Sequence, residues 1–147
     1  MDTSSMHPAL GIDYGDTRIG VAATDAMGIL AYPVETIDQT KVRPIDRIIE
    51  LARQKQAKIL VLGLPVRLDG TEGTSAEKVR IFGNYLHEHC PELPLVYVDE
   101  CLSTVDAQAK LHAAGKKARQ QRAVIDQAAA VEILNRWMGD SVLPPFL

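Results

Sequence analysis

The chain has 147 residues, with 16 Lys and Arg against 19 Asp and Glu for a net charge of −3. That length suits a single domain, 1–147, and the charge argues against a protein that coats nucleic acid through bulk electrostatics. A composition of 46% hydrophobic and 24% charged residues excludes a disordered or fibrous chain.

No apolar run approaches the roughly 18 residues needed to cross a bilayer, so no membrane partner is expected. Residues Met1 to Pro8 carry Asp2 and no Lys or Arg, which does not match a secretory signal. Cys90 and Cys101 form neither a disulfide framework nor a zinc-site spacing, and a cytoplasmic location is expected.

In chain order, Ala9 to Tyr14 reads as a short apolar strand entering a turn at Gly15-Asp16, with Arg18 to Asp25 as its hairpin partner. Ile29 to Ile37 reads as a third strand, whose Pro33 points to an edge position or a bulge. The period then changes. Ile45, Ile48, Ile49 and Ala52 make one apolar stripe on a helix that Pro44 opens. Lys58 to Gly63 is a continuously apolar strand of the kind buried on both faces of a parallel sheet. A Gly-rich loop runs into Thr74-x-x-Glu77, a capping-box spacing ahead of a helix with Val79, Phe82 and Leu86 inward.

Leu95 to Asp99 is the fifth strand, and Ser103-x-x-Asp106 starts a further helix that Gly115 ends. Residues 106 to 123 form the one basic island, with Lys110, Lys116, Lys117, Arg119 and Arg122 against the single acid Asp106. The last helix is expected from about Val124 to Met138. Three strands followed by alternating helices and strands predict an α/β domain with a mixed sheet.

The chemistry is carried by where acids fall. Asp13 ends the first strand, Glu100 follows the fifth, and Asp126 is expected in the first turn of the last helix. In open α/β sheets, ligands collect at the carboxyl ends of strands. Carboxylates gathered there repel unless a cation neutralises them, and Mg²⁺ is the natural choice for chemistry on phosphates. Each acid also has a plainer reading: Asp13 as a turn residue, Asp126 as a favourable charge at a helix N-terminus, and Glu100 as a solvated surface acid. The segment Asp13-x-Gly15-x-Thr17-x-x-Gly20 also matches the phosphate turn of actin-like ATPases, but those pair two such domains around the nucleotide, and this length supplies one. His87 and His89 do not share a helix face, so a joint metal role is not expected.

Four blocks, GIDYGDTRIGVA, GLPVRLDGTEGTSAEKV, VDECLSTVDA and VIDQAAAVEIL, span nearly the whole chain. On them the sequence resembles the YqgF (RuvX) family of pre-16S rRNA nucleases and Holliday junction resolvase-like proteins. The resemblance implies a ribonuclease H-like fold, with a mixed five-stranded sheet of three antiparallel strands and then parallel strands, flanked by helices. By motif it maps a catalytic, metal-holding triad onto Asp13, Glu100 and Asp126. That implies hydrolysis of RNA phosphodiesters with Mg²⁺ or Mn²⁺, in 5′-end processing of pre-16S rRNA during ribosome biogenesis.

Pre-16S rRNA is the partner so implied. Structured DNA, as for a junction resolvase, and a non-catalytic nucleic-acid-binding module are the alternatives, and the oligomeric state is left open. Two positions depart from the family pattern: Cys101 stands where Arg is common, and Arg67 where Asn is frequent. Arg18, Arg67 and the basic segment's Lys116, Lys117, Arg119 and Arg122 are then the candidates for contacting phosphate.

Overall fold

The computed structural model describes residues 6–100 and 118–139, with side chains of the second segment from Arg122 onward. Strand β1 (Ala9–Tyr14) is flanked by β2 (Arg18–Thr24) on one side and β4 (Ile59–Leu64) on the other. Strands β3 (Ala31–Asp38) and β5 (Leu95–Asp99) form the edges, giving the order β3-β2-β1-β4-β5. The β1–β2 and β2–β3 pairs are antiparallel, and the β1–β4 and β4–β5 pairs parallel. This is the mixed sheet that the sequence predicts. Helix α1 (Pro44–Lys55) precedes β4, α2 (Thr74–His89) joins β4 to β5, and α3 (Ala118–Gly139) follows.

Strand alternation divides the core in two. Leu10 and Ile12 of β1, with Leu60, Leu62 and Leu64 of β4, pack with Ile48 and Leu51 of α1 and Val79, Phe82 and Leu86 of α2. The opposite face is built from smaller groups: Ala9, Ala22, Val61 and Val98 meet Ala130, Ile133, Leu134 and Trp137 of α3. The result is a three-layer α/β/α arrangement with β1 and β4 buried on both faces. No helix among the described residues is long and apolar enough to cross a membrane.

Local structure differs from the expected boundaries at several points. Strand β3 starts at Ala31, two residues late, and Pro33 sits both on the edge strand and at a bulge where the register shifts between Val21 and Ala22. The cap of α2 is Gly73 with no side-chain bond, so Thr74 lies inside the helix and the expected capping box does not form.

Helix α3 begins at Ala118, about six residues early. Arg119 and Arg122, expected to precede the helix, are therefore helical, and Asp126 lies in the third turn, beyond the first-turn reach of the helix dipole. Helix α1 ends with Gln56 in the left-handed region at φ 56°, the Gln56 and Ala57 amides bonding back to Arg53 and Ala52. This is a Schellman arrangement in which glycine is the usual occupant. The expected helix from Ser103 to Gly115, together with Cys101, Lys116 and Lys117, lies outside the described residues.

Candidate active site

Because β1, β4 and β5 run parallel, their carboxyl ends finish on one side of the sheet, and the register sets what stands there. Ile12 pairs with Leu62, Gly63 with Val98 and Leu64 with Asp99. The Glu100 amide donates to the Leu64 carbonyl at 3.0 Å, which carries the ladder one residue past β5. Asp13 and Glu100 thus share the α3 face of the sheet with Ala9, Val61 and Val98, while Asp99 falls on the other face. A Cβ at Gly63, between them, would strike the Glu100 carboxylate and Ile133. Glycine makes the room that the Glu100 side chain occupies.

Helix α3 brings the third acid to the same face. Gly20 is the cross-strand partner of Asp13, and a Cβ at Gly20 would run into the Asp126 carbonyl. The missing side chain seats the helix backbone directly over the β1–β2 pair, next to Asp13. The Thr36 hydroxyl donates to the Ala123 carbonyl at 2.8 Å and accepts from the Gln127 amide at 3.0 Å, fixing the helix along β3.

The electrostatics follow from this crowding. The Asp13 and Glu100 carboxyl groups stand close enough to act on each other, and two crowded carboxyls favour keeping a proton between them. Burial raises Glu100 far above the ordinary carboxyl range, and the neighbouring Asp13 carboxyl and its charge raise it further. Burial also raises Asp13; the neighbouring Glu100 carboxyl opposes that rise and the Asp126 charge adds to it. Asp126 is likewise raised by burial, against the pull of Arg18, whose Nε donates to Asp126 Oδ2 at 2.9 Å.

The structure therefore brings two of the three expected acids into contact and holds the third beside them on Arg18. Among the described residues, no three His, Cys, Asp or Glu side chains are grouped closely enough to hold a metal ion as they stand. The donor set nonetheless fits a hard divalent cation. Asp13 and Glu100 offer oxygen ligands that share a proton because they are crowded and desolvated, and a dication would replace that proton with two charges.

The expected phosphate contacts separate. Arg18 is committed to Asp126. Arg122 is exposed and close enough to lower Asp126 through its charge. Arg67 is exposed in the loop after β4, its amide bonded to the Thr71 carbonyl at 2.9 Å, and the side chain of Arg119 is outside the described set.

Arg136 and Glu132 were not singled out by the sequence reading. Arg136 donates to the Asp99 carbonyl at 2.7 Å and its charge lowers Glu100, while Glu132 raises it. The signal was their i, i+4 spacing on α3, which also forms the 3.7 Å pair between them. His87 and His89 are exposed, as expected.

A sheet in this order, with carboxyl groups at the ends of two parallel strands and on a helix laid across them, defines a ribonuclease H-like domain. The family model described as "RuvX: Holliday junction resolvase" matches residues 7–140, and the chain belongs to that family.

It is 48% identical over 133 residues to a "Putative pre-16S rRNA nuclease" of Cutibacterium acnes, covering 90% of this chain and 82% of the relative. A relative of the same description from Nocardia farcinica is 44% identical, covering 89% and 77%. Another, from Mycobacterium leprae, is 46% identical, covering 88% and 71%.

Among solved structures, Thermus thermophilus RuvC in complex with a Holliday junction substrate superposes with a TM-score of 0.53 at 16% identity, covering 92% of this chain and 96% of that one. Archaeoglobus fulgidus Pelota gives 0.51 at 13% identity, covering 95% and 34%. At these identities the likeness is one of fold.

Proposed function

We propose that this chain is a divalent-metal-dependent nuclease that hydrolyses RNA phosphodiester bonds in 5′-end maturation of pre-16S rRNA, in the cytoplasm. The observation that carries the reading is the desolvated Asp13–Glu100 carboxyl pair with Asp126 seated over the same strand pair. Such a pair is costly to a fold and has a purpose where a cation is bound. The relatives described as pre-16S rRNA nucleases supply the substrate.

In this reading Asp13, Glu100 and Asp126 hold Mg²⁺ or Mn²⁺. A bound dication stabilises charge developing on a phosphoryl oxygen and lowers the pKa of a coordinated water. The chain's own work is placement. The Glu100 amide bond to Leu64 and the Arg136 bond to Asp99 fix the end of β5, so the Glu100 carboxyl is presented from rigid backbone. Gly20 fixes the height of Asp126 above the sheet. Arg122 on α3, Arg67 after β4 and the basic residues Lys116, Lys117 and Arg119 serve the RNA backbone as phosphate contacts.

The test is cleavage of a 5′-extended 16S precursor with Mg²⁺ and with EDTA, by wild type and by Asp13→Asn, Glu100→Gln and Asp126→Asn. Metal-dependent cleavage lost in all three is expected. Equal cleavage in EDTA, or full activity in all three variants, overturns the assignment. The family description favours a second reading, a DNA four-way junction as substrate. Preferential cleavage of a synthetic junction over the rRNA precursor in the same assay would select it.

A further inference from the structure

The Arg18–Asp126 ion pair joins residues 108 positions apart at the edge of the carboxyl cluster, and nothing in the proposed reading explains it. Three features define what it can do. It is a single contact, through Nε alone among the described residues, instead of the two-pronged fork that arginine makes with a carboxylate it holds permanently. The side chains are 34% and 20% exposed, so both partners remain open to water. The Asp126 backbone is pinned against Gly20, the cross-strand neighbour of Asp13, so its side chain starts from the same strand pair as Asp13 while its carboxylate lies on Arg18.

We infer that Arg18 is a placeholder for the metal at Asp126: it neutralises that carboxylate while the site is unfilled, and gives it up to an incoming divalent cation. The guanidinium so released, still at the first position of β2 and beside the cluster, then becomes available to a phosphate of the substrate. Metal loading and RNA binding are thereby coupled through one side chain.

The charges favour this exchange. A lone, part-exposed ion pair is weak, whereas a dication among three carboxyl groups gains from all of them at once. Arg18 then leaves a carboxylate for a phosphate, which offers it equivalent charge-assisted hydrogen bonds. The inference rests on the assignment of Asp126 to the metal made above, and the experiment separates the two.

Mn²⁺ binding without RNA is followed from the free-ion electron paramagnetic resonance signal, for wild type, Arg18→Ala, Arg18→Gln and Arg122→Ala. Arg122 also lies near Asp126 but makes no ion pair with it among the described residues, so it controls for loss of one positive charge. Both Arg18 variants should bind Mn²⁺ about two- to fivefold more tightly, the worth of an ion pair of this exposure, and more tightly than Arg122→Ala.

Fluorescence anisotropy with a labelled single-stranded RNA supplies the second readout. Arg18→Gln should weaken RNA binding about tenfold in Ca²⁺, which takes the same oxygen ligands, and less than twofold in EDTA, where Arg18 is held by Asp126. Unchanged or weaker Mn²⁺ binding in both Arg18 variants, or an equal RNA loss in Ca²⁺ and EDTA, overturns the placeholder role and leaves the metal assignment standing. Failure of wild type to take up Mn²⁺ overturns both.

Discussion

The two faces of the sheet are built on opposite principles. The face under α1 and α2 is filled with Leu, Ile and Phe, and Asp99, the carboxyl at its β5 end, is exposed. The face under α3 is lined largely by Ala and Gly, so the helix backbone comes down onto the strands, and two half-buried carboxyl groups stand at its open end. Large side chains on the first face supply apolar burial, worth about 1.5–3 kcal/mol each. Small ones on the second give up that energy and gain precision in where α3 puts Asp126. Apolar burial is concentrated on one side of the sheet and the proposed chemistry on the other, a division that substitutions on each face test separately.

The largest effect is expected at the acids. Glu100→Gln or Asp13→Asn should lower metal-dependent cleavage by at least about a hundredfold, as loss of a charge that stabilises the transition state does. The same variants should retain the fold, as circular dichroism would report.

Leu62→Ala, on the opposite face and fully buried, should cost about 2–5 kcal/mol in denaturant unfolding while leaving cleavage below the melting range near wild type. A matching loss of activity there would show that the faces are not independent.

Gly20→Ala should do both things at once. Its Cβ must displace the α3 backbone at Asp126, costing about 1–3 kcal/mol and lowering activity tenfold or more through the shift of that carboxylate.

The pH dependence of the metal-free protein sharpens the contrast further. Asp13 and Glu100 both have folded-state values above their ordinary ones, so their contribution to stability is complete below the ordinary carboxyl range and is lost as pH rises through the folded-state values. His7 runs the other way. Burial lowers it, so its contribution is lost as pH falls. Thermal melts in EDTA between pH 7 and 9, where His7 is neutral, should therefore show wild type losing stability with pH. Glu100→Gln should flatten that decline, and Mg²⁺ should stabilise wild type but not the variant. A wild-type melting temperature constant over this range would contradict the carboxyl pair.

The smallest effect lies far from the chemistry. Gln56→Gly, which removes a left-handed non-glycine residue, should add about 1 kcal/mol, or about 2–4 °C, with cleavage unchanged.

Much of this architecture is legible from residue order alone. The short apolar run of β1 ahead of its Gly15-Asp16 turn, the unbroken apolar run of β4 and the stripe of α1 are local patterns, and local patterns are what backbone periodicity imposes. They place the five strands correctly. With strand direction they put Asp13 and Glu100 at the same end of the sheet. Boundaries were less legible where local signals competed: the Thr74 spacing suggested a cap that Gly73 supplies, and residues 118–123, expected to precede the last helix, are the first turns of α3.

What tertiary structure alone decided is how the acids stand toward one another. That Asp13 and Glu100 stand side by side, that Gly20 and Gly63 are gaps reserved for α3 and for a carboxylate, and that Arg18 holds Asp126 are facts about residues tens of positions apart. Hydrophobic periodicity determines which face of an element is buried. It carries no information about which polar groups from distant elements meet when those faces close, because that depends on strand register and on the depth to which a helix settles.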